Sequence, residues 1–152
     1  MKKIIFIMTV IVLALGMNAC KTQKTEPKIA ETVDNKTDLA LADKHWKLIE
    51  LFGNPVNENS AKEPHIIFKT ECDQFFGDAG CNRIFGSYQL KEPNRITFSR
   101  AASTLMMCIN METEDKFLDV LKNADSYIIK NDTLILNRAR MAPLARFAAV
   151  DK

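Results

Sequence analysis

METEDKFLDVLKNADSYIIKNDTLILN, residues 111–137, changes its hydrophobic period once, and the change separates a helix from a hairpin. Phe117, Leu118, Leu121 and Ala124 recur at the i, i+3, i+4 spacing of one helical face. Asn110 stands where an N-cap is needed, and Glu112, Glu114 and Asp115 lie in or near the first turn, where the helix dipole favours negative charge. Lys122 sits near the opposite end. The spacing predicts a helix over Met111–Ala124. The next thirteen residues read differently. Ser126–Lys130 and Thr133–Asn137 are short runs rich in β-formers, and Asn131-Asp132 between them tolerates the left-handed backbone of a tight turn.

Upstream and downstream, the chain repeats the strand signature. His45–Phe52, His65–Thr70, Phe75–Phe76, Ile84–Leu90, Arg95–Ser99 and Leu144–Ala149 are further candidate strands. Gly53-Asn54-Pro55, Gly77-Asp78-Ala79-Gly80 and Glu92-Pro93-Asn94 punctuate them as turns. Strands, then one helix, then strands predict an α+β fold: a curved antiparallel sheet or open β-barrel with one helix packed against it.

The N-terminus carries a different message. Met1-Lys2-Lys3 precedes an apolar run from Ile4 to Leu15, and Gly16-Met17-Asn18-Ala19-Cys20 follows. A charged n-region, an apolar h-region and small residues before a cut define an export signal. The run is well short of the roughly 20 residues that span a bilayer core. With its cysteine directly after Ala19, the segment resembles a bacterial lipoprotein signal. The resemblance implies lipidation (diacylglycerol and palmitate) at Cys20 and a membrane anchor, with the chain working outside the cytoplasm. Lys21 after the cysteine favours a periplasm-facing outer-membrane address. Three parts are expected: a signal peptide at 1–19, a lipid-anchored tether at 20–42, and a folded domain at 43–150. The tether stretch KTQKTEPKIAETVDNKTDLA has no aromatic residue and no sustained apolar period, so it buries too little to offset ordering.

Charge excludes one class of partner. The chain has 21 basic and 19 acidic side chains, and loss of Lys2 and Lys3 with the signal leaves the remainder formally neutral. No basic excess suits nucleic acid. Arg100, Arg138, Arg140 and Arg146 bias the later strands and could meet an acidic partner, with a solvated face the plainer expectation. Catalytic constellations are missing as well. His45 and His65 are 20 residues apart at two strand starts, and no metalloprotease, nucleophile-elbow or phosphate-loop motif occurs. No enzymatic activity, no resident metal and no cofactor are expected. Asn82, Arg83 and Tyr88 remain for recognition, with Asn82 expected to bond its own loop.

Three motifs fall in order: Gly80-Cys81-Asn82 followed by Phe85-Gly86 and Tyr88; Ala101-Ala102-Ser103-Thr104-Leu105-Met106-Met107-Cys108; and Glu114 with Phe117 and Leu121. Trp46-Lys47-Leu48 stands before them and Leu134-Ile135-Leu136 after. Together they resemble the META domain, the family of HslJ-like heat-shock lipoproteins, over about Lys44 to Phe147. The resemblance implies a compact α+β domain of the bacterial envelope linked to stress, and no catalytic residues. Met107 stands where alanine is common in the family, and Cys72 is an extra cysteine.

The family motifs make Cys81–Cys108 the first choice of disulfide, with Cys72–Cys81 as competitor. Cys72, left over, is expected to be buried as a small hydrophobe. A non-catalytic stress-response binding or stabilising protein follows, monomeric, with an envelope protein as partner. Two alternatives stay open. Met106, Met107, Cys108 and Met111, with Cys81, form a set of soft donors suited to Cu(I), although Leu105, Met106 and Ile109 also read as core. An open barrel could instead carry a lipid or apolar peptide.

Overall fold

The computed structural model describes residues 40–56 and 59–150. The expected leader, Cys20 and the tether up to residue 39 lie outside the described residues. The order along the chain is β1 (His45–Leu51), β2 (Asn54–Pro55), β3 (His65–Lys69), β4 (Gln74–Asp78), β5 (Arg83–Lys91), β6 (Arg95–Phe98) and β7 (Ala102–Ser103). It continues with α1 (Glu112–Asn123), β8 (Ser126–Lys130), β9 (Thr133–Asn137) and β10 (Pro143–Val150).

All strand pairings are antiparallel. They run β1, β3, β4, β5, β6, β8, β9, β10, and β10 then pairs back onto β1 from His45↔Val150 to Leu51↔Ala145. The sheet is therefore curved and ring-like, with α1 packed against it. β2 extends from β1 and β7 from β5. The β6–β8 junction is thin. It rests on the Arg95↔Ser126 pair and on two backbone bonds, Ile96 N to Asp125 O at 3.2 Å and Tyr127 N to Asn94 O at 2.9 Å.

Period-2 patterning explains which side faces in. Trp46 and Leu48 of β1 are buried while Lys47 is exposed. The register with β10 shifts between Leu48 and Glu50, so Leu51 returns to the core and Glu50 does not. Trp46, Phe68, Phe75, Tyr88, Ile96, Leu136 and Phe147 belong to one buried cluster inside the ring. Phe68 meets Tyr88 edge-on at 5.0 Å, and Phe75 meets Phe98 the same way at 5.4 Å. Helix α1 contributes Phe117, Val120 and Leu121, with Phe117 5.6 Å from the ring of Phe147.

The buried core begins earlier than the sequence reading placed the domain. Leu41, assigned to the tether, is fully buried, and its carbonyl accepts the Trp46 Nε1–H at 3.0 Å. Trp46 is thereby satisfied at its polar end as well as packed at its apolar one.

Gly77, read as part of a turn, lies inside β4 opposite Ile66. A Cβ built there would stand 2.0 Å from the His65 carbonyl oxygen, so the close approach of β3 admits only glycine. Gly86 on β5 plays a related part: its missing side chain makes room for the Phe75 ring, which a Cβ would approach to 2.8 Å. The Asn131-Asp132 hairpin forms as expected, with Asn131 at φ 53°.

Asp125, between α1 and β8, ties three segments together. Its Oδ1 accepts the Ala139 N–H at 2.7 Å and the Ser126 hydroxyl at 3.1 Å, and Arg95 lies 3.3 Å from Oδ2. These contacts, first the Ala139 N–H, hold its carboxyl below the usual aspartate range of 3.8. A depressed carboxyl stabilises the fold above the unfolded-state value and loses that contribution as pH falls through the folded one. Asp125→Asn is therefore expected to lower stability at neutral pH. Because Asp125 is near the surface, the effect is modest. The variant is also expected to lose part of the acid sensitivity below about pH 4 that thermal melts of the parent would show.

Candidate functional site

The family motifs meet at one place, where the β4–β5 turn faces the segment leading into α1. Cys81 and Cys108 form a disulfide with Cα atoms 6.2 Å apart. Beside it, the buried Asn82 uses every hydrogen-bonding position of its carboxamide. Its Oδ1 accepts the Thr104 hydroxyl and the Met106 N–H, both at 2.7 Å. Its Nδ2 donates to the Met106 carbonyl at 3.0 Å and to the Glu114 carboxyl at 3.1 Å. The Asn82 backbone N–H donates to Glu114 Oε2 at 2.9 Å. Arg83 and Thr104 close the strand edge, with Thr104 N donating to Arg83 O at 3.1 Å and Arg83 N donating to Thr104 Oγ1 at 3.2 Å.

Several sequence expectations change here. Asn82 does not use its side chain on the backbone of its own loop, where Nδ2 meets only the Cys81 Sγ at 3.7 Å among the described residues; it reaches over twenty residues along the chain to 104–106 and Glu114. Glu114 is not a solvated helix-end charge: it is buried on the inner face of α1, where the Asn82 donors satisfy it. Asn110 does accept the Glu112 N–H at 3.0 Å, although the helix's own cap position is Met111. Tyr88 belongs to the core rather than to a recognition surface, while Phe85 projects outward beside Phe76. Cys72, expected to be buried, is exposed and unbridged because it lies in the turn between β3 and β4, where no core reaches it.

The knot displays rather than buries the residues between its anchors. Leu105 and Met107 are 98% and 99% exposed, Ile109 is fully exposed, and Met106 is half-exposed. The expectation that Leu105, Met106 and Ile109 are core fails because Asn82 and the disulfide hold the backbone from below, leaving these side chains to point away. Four of the five residues from Leu105 to Ile109 thus present apolar side chains to solvent. The same bridge removes Cys81 and Cys108 as thiolates, which takes the strongest donors from the Cu(I) alternative. The carrier alternative meets a ring whose interior is occupied by the core cluster. A groove of about 520 Å³ lies on the outside, lined by Lys47, Ile49, Pro55, Val56, Lys62 and Glu63 among others.

Of the arginines singled out in the sequence, Arg146 pairs with Glu50 at 3.2 Å and Arg138 donates to Asn123 at 3.3 Å. Sequence reasoning also missed a juxtaposition. His45 and His65 begin β1 and β3 as expected, and the pairing of these strands stacks the two rings 4.1 Å apart. Glu63 joins them, 2.9 Å from His45 and 3.1 Å from Lys47. Its carboxyl is held below the usual range by the His45 hydrogen bond, assisted by Lys47.

A ring-like antiparallel sheet with one packed helix, locked where Gly80-Cys81-Asn82 meets the Thr104–Cys108 segment, defines a small α+β domain. The sequence model of the META domain matches residues 38–151, and the chain belongs to the META domain family. Solved structures share the fold. A protein from Burkholderia xenovorans, solved by NMR, has a TM-score of 0.60 at 22% identity, covering 76% of this chain and 87% of its own. A DUF4847 family protein from Bacteroides vulgatus, a crystal structure, has a TM-score of 0.57 at 16% identity, covering 74% of this chain and 96% of its own. A further NMR structure has a TM-score of 0.56 at 24% identity, with 71% and 90% covered. Comparison with curated proteins finds no match.

Proposed function

We propose that this META domain protein is a non-catalytic binding or stabilising protein of the bacterial envelope. It is anchored to the outer membrane through lipid on Cys20 and meets a protein partner with the loop Leu105–Ile109. The observation that carries the contact is that loop: apolar side chains exposed on a backbone fixed by a disulfide and by Asn82. A pre-organised loop loses little conformational entropy on binding. Methionine suits adaptable protein contacts. A protein partner fits better than an anionic lipid surface, because the exposed Glu112 and Asp115 follow the loop directly. The anchor and the address rest on the leader's resemblance to lipoprotein signals, and the stress role on the family resemblance.

A photo-reactive residue at Met107, installed in the full-length chain in cells, tests the contact, with Lys130 on the β8–β9 hairpin as control. The expected result is one adduct from position 107 alone, identified by mass spectrometry as an envelope protein and lost on Leu105→Ser at unchanged abundance. Equal labelling from both positions, or an adduct with a lipid, would overturn the reading. The intact mass of the membrane-extracted chain tests the anchor: a chain beginning at Cys20 with added acyl mass is expected, and an unmodified Cys20 would remove the anchored half.

A further inference from the structure

We propose that His45, Glu63 and His65 form a binding site for a divalent transition metal of the zinc type, on the face of the sheet remote in sequence from the disulfide knot. The strand pairing builds it. Lys47↔His65 and Trp46↔Ile66 set His45 and His65 as diagonal neighbours on the outer face of β1 and β3. Their rings stack at 4.1 Å with planes 24° apart, and Glu63 arrives two residues before β3 with Oε1 2.9 Å from His45 Nε2. One ligand atom from each of the three side chains lies within 4.8 Å of the others. Donors around a tetrahedral ion stand roughly 3.4 Å apart, so the His45–Glu63 pair at 2.9 Å opens slightly and the wider separations close by about an ångström.

Two further observations favour a ligand set over an incidental cluster. His65 Nδ1 is 3.0 Å from the Glu63 carbonyl oxygen. Donation there places the ring's lone pair on Nε2, the arrangement that orients histidine ligands in metal sites. His45 is 8% exposed, and its Nδ1 is buried without a hydrogen bond among the described residues. Its ring is therefore held by packing and by Glu63 at Nε2 rather than by solvent. Two imidazoles and one carboxylate suit Zn²⁺ and leave a fourth position open. Lys47 holds Glu63 Oε2, and the ion takes the place of the proton shared by Oε1 and His45 Nε2. Asp78, paired with His65 across β3 and β4, is engaged by Lys62 at 2.9 Å.

The test is calorimetric titration of the untagged full-length chain with zinc chloride, in a Cys72→Ser background that removes the exposed thiol. Nuclear magnetic resonance then follows the imidazole signals. The expected result is one zinc per chain, with shifts confined to His45 and His65. His65→Ala and Glu63→Gln, both at partly exposed positions, are each expected to weaken binding by about tenfold or more. Absence of uptake, or uptake unchanged in His65→Ala, would overturn the proposal.

Discussion

Replacing Asn82 with alanine is expected to lower stability by about 4 kcal/mol in chemical denaturation. The substitution removes one carboxamide and leaves four groups without it. The Met106 N–H and carbonyl, the Thr104 hydroxyl and the Glu114 carboxyl all bond that side chain. Exposed groups such as Thr104 can turn to water, which limits their cost. Glu114 is buried and keeps only the Asn82 backbone N–H. A buried carboxyl that loses a donor dominates the loss. Asn82→Asp separates hydrogen bonding from shape. It keeps the volume but sets a second carboxyl against Glu114 and an acceptor against the Met106 carbonyl. At neutral pH it is expected to be at least as damaging as alanine, and part of the loss should return in acid as a proton restores one donor.

Cys108→Ser is expected to cost about 3.5 kcal/mol relative to the oxidised chain, from the chain-entropy model for a closed loop of this size. The bridge spans 27 positions in sequence. Reduction of the parent with dithiothreitol should reproduce most of that loss in the same denaturation experiment, while leaving Cys108→Ser unaffected. Because Asn82 and the bridge restrain the same segment, the two losses should not add. A double-mutant cycle is expected to show coupling well above the scatter of independent sites.

The sheet was largely legible in the sequence because its strands are short, β-branched or aromatic, and punctuated by strong turn residues. Ser126–Lys130 and Thr133–Asn137 fall where the Asn131-Asp132 turn places them. β2 and β7 were not seen: two residues each carry no periodicity, β2 folding straight back onto Glu50 and Leu51 and β7 pairing with Ile84 and Phe85 further upstream. Gly77 misled because a glycine beside Asp78 has the composition of a turn, whereas the demand for it comes from the His65 carbonyl on the neighbouring strand.

The knot was half legible. The META resemblance singled out Asn82, Thr104, Met106, Cys108 and Glu114, but nothing local shows that Asn82 and Glu114 meet. Leu105, Met106 and Ile109 read as core because apolar residues before an amphipathic helix usually are. Their exposure follows from the direction in which the knot holds the backbone, which is a tertiary property. His45, Glu63 and His65 escaped for the same reason, since the register of β1 on β3 and the segment leading into β3 bring them together.

Amide hydrogen exchange at Met106 tests the central claim, that the family motifs are a lock presenting an apolar loop in one conformation. Its N–H is bonded to Asn82 Oδ1 although its own side chain is half-exposed. The account predicts slow exchange in the oxidised chain, approaching that of β5, and release to the rate of an open loop in Asn82→Ala while the core strands stay protected. Fast exchange at Met106 in the intact, oxidised protein would contradict it.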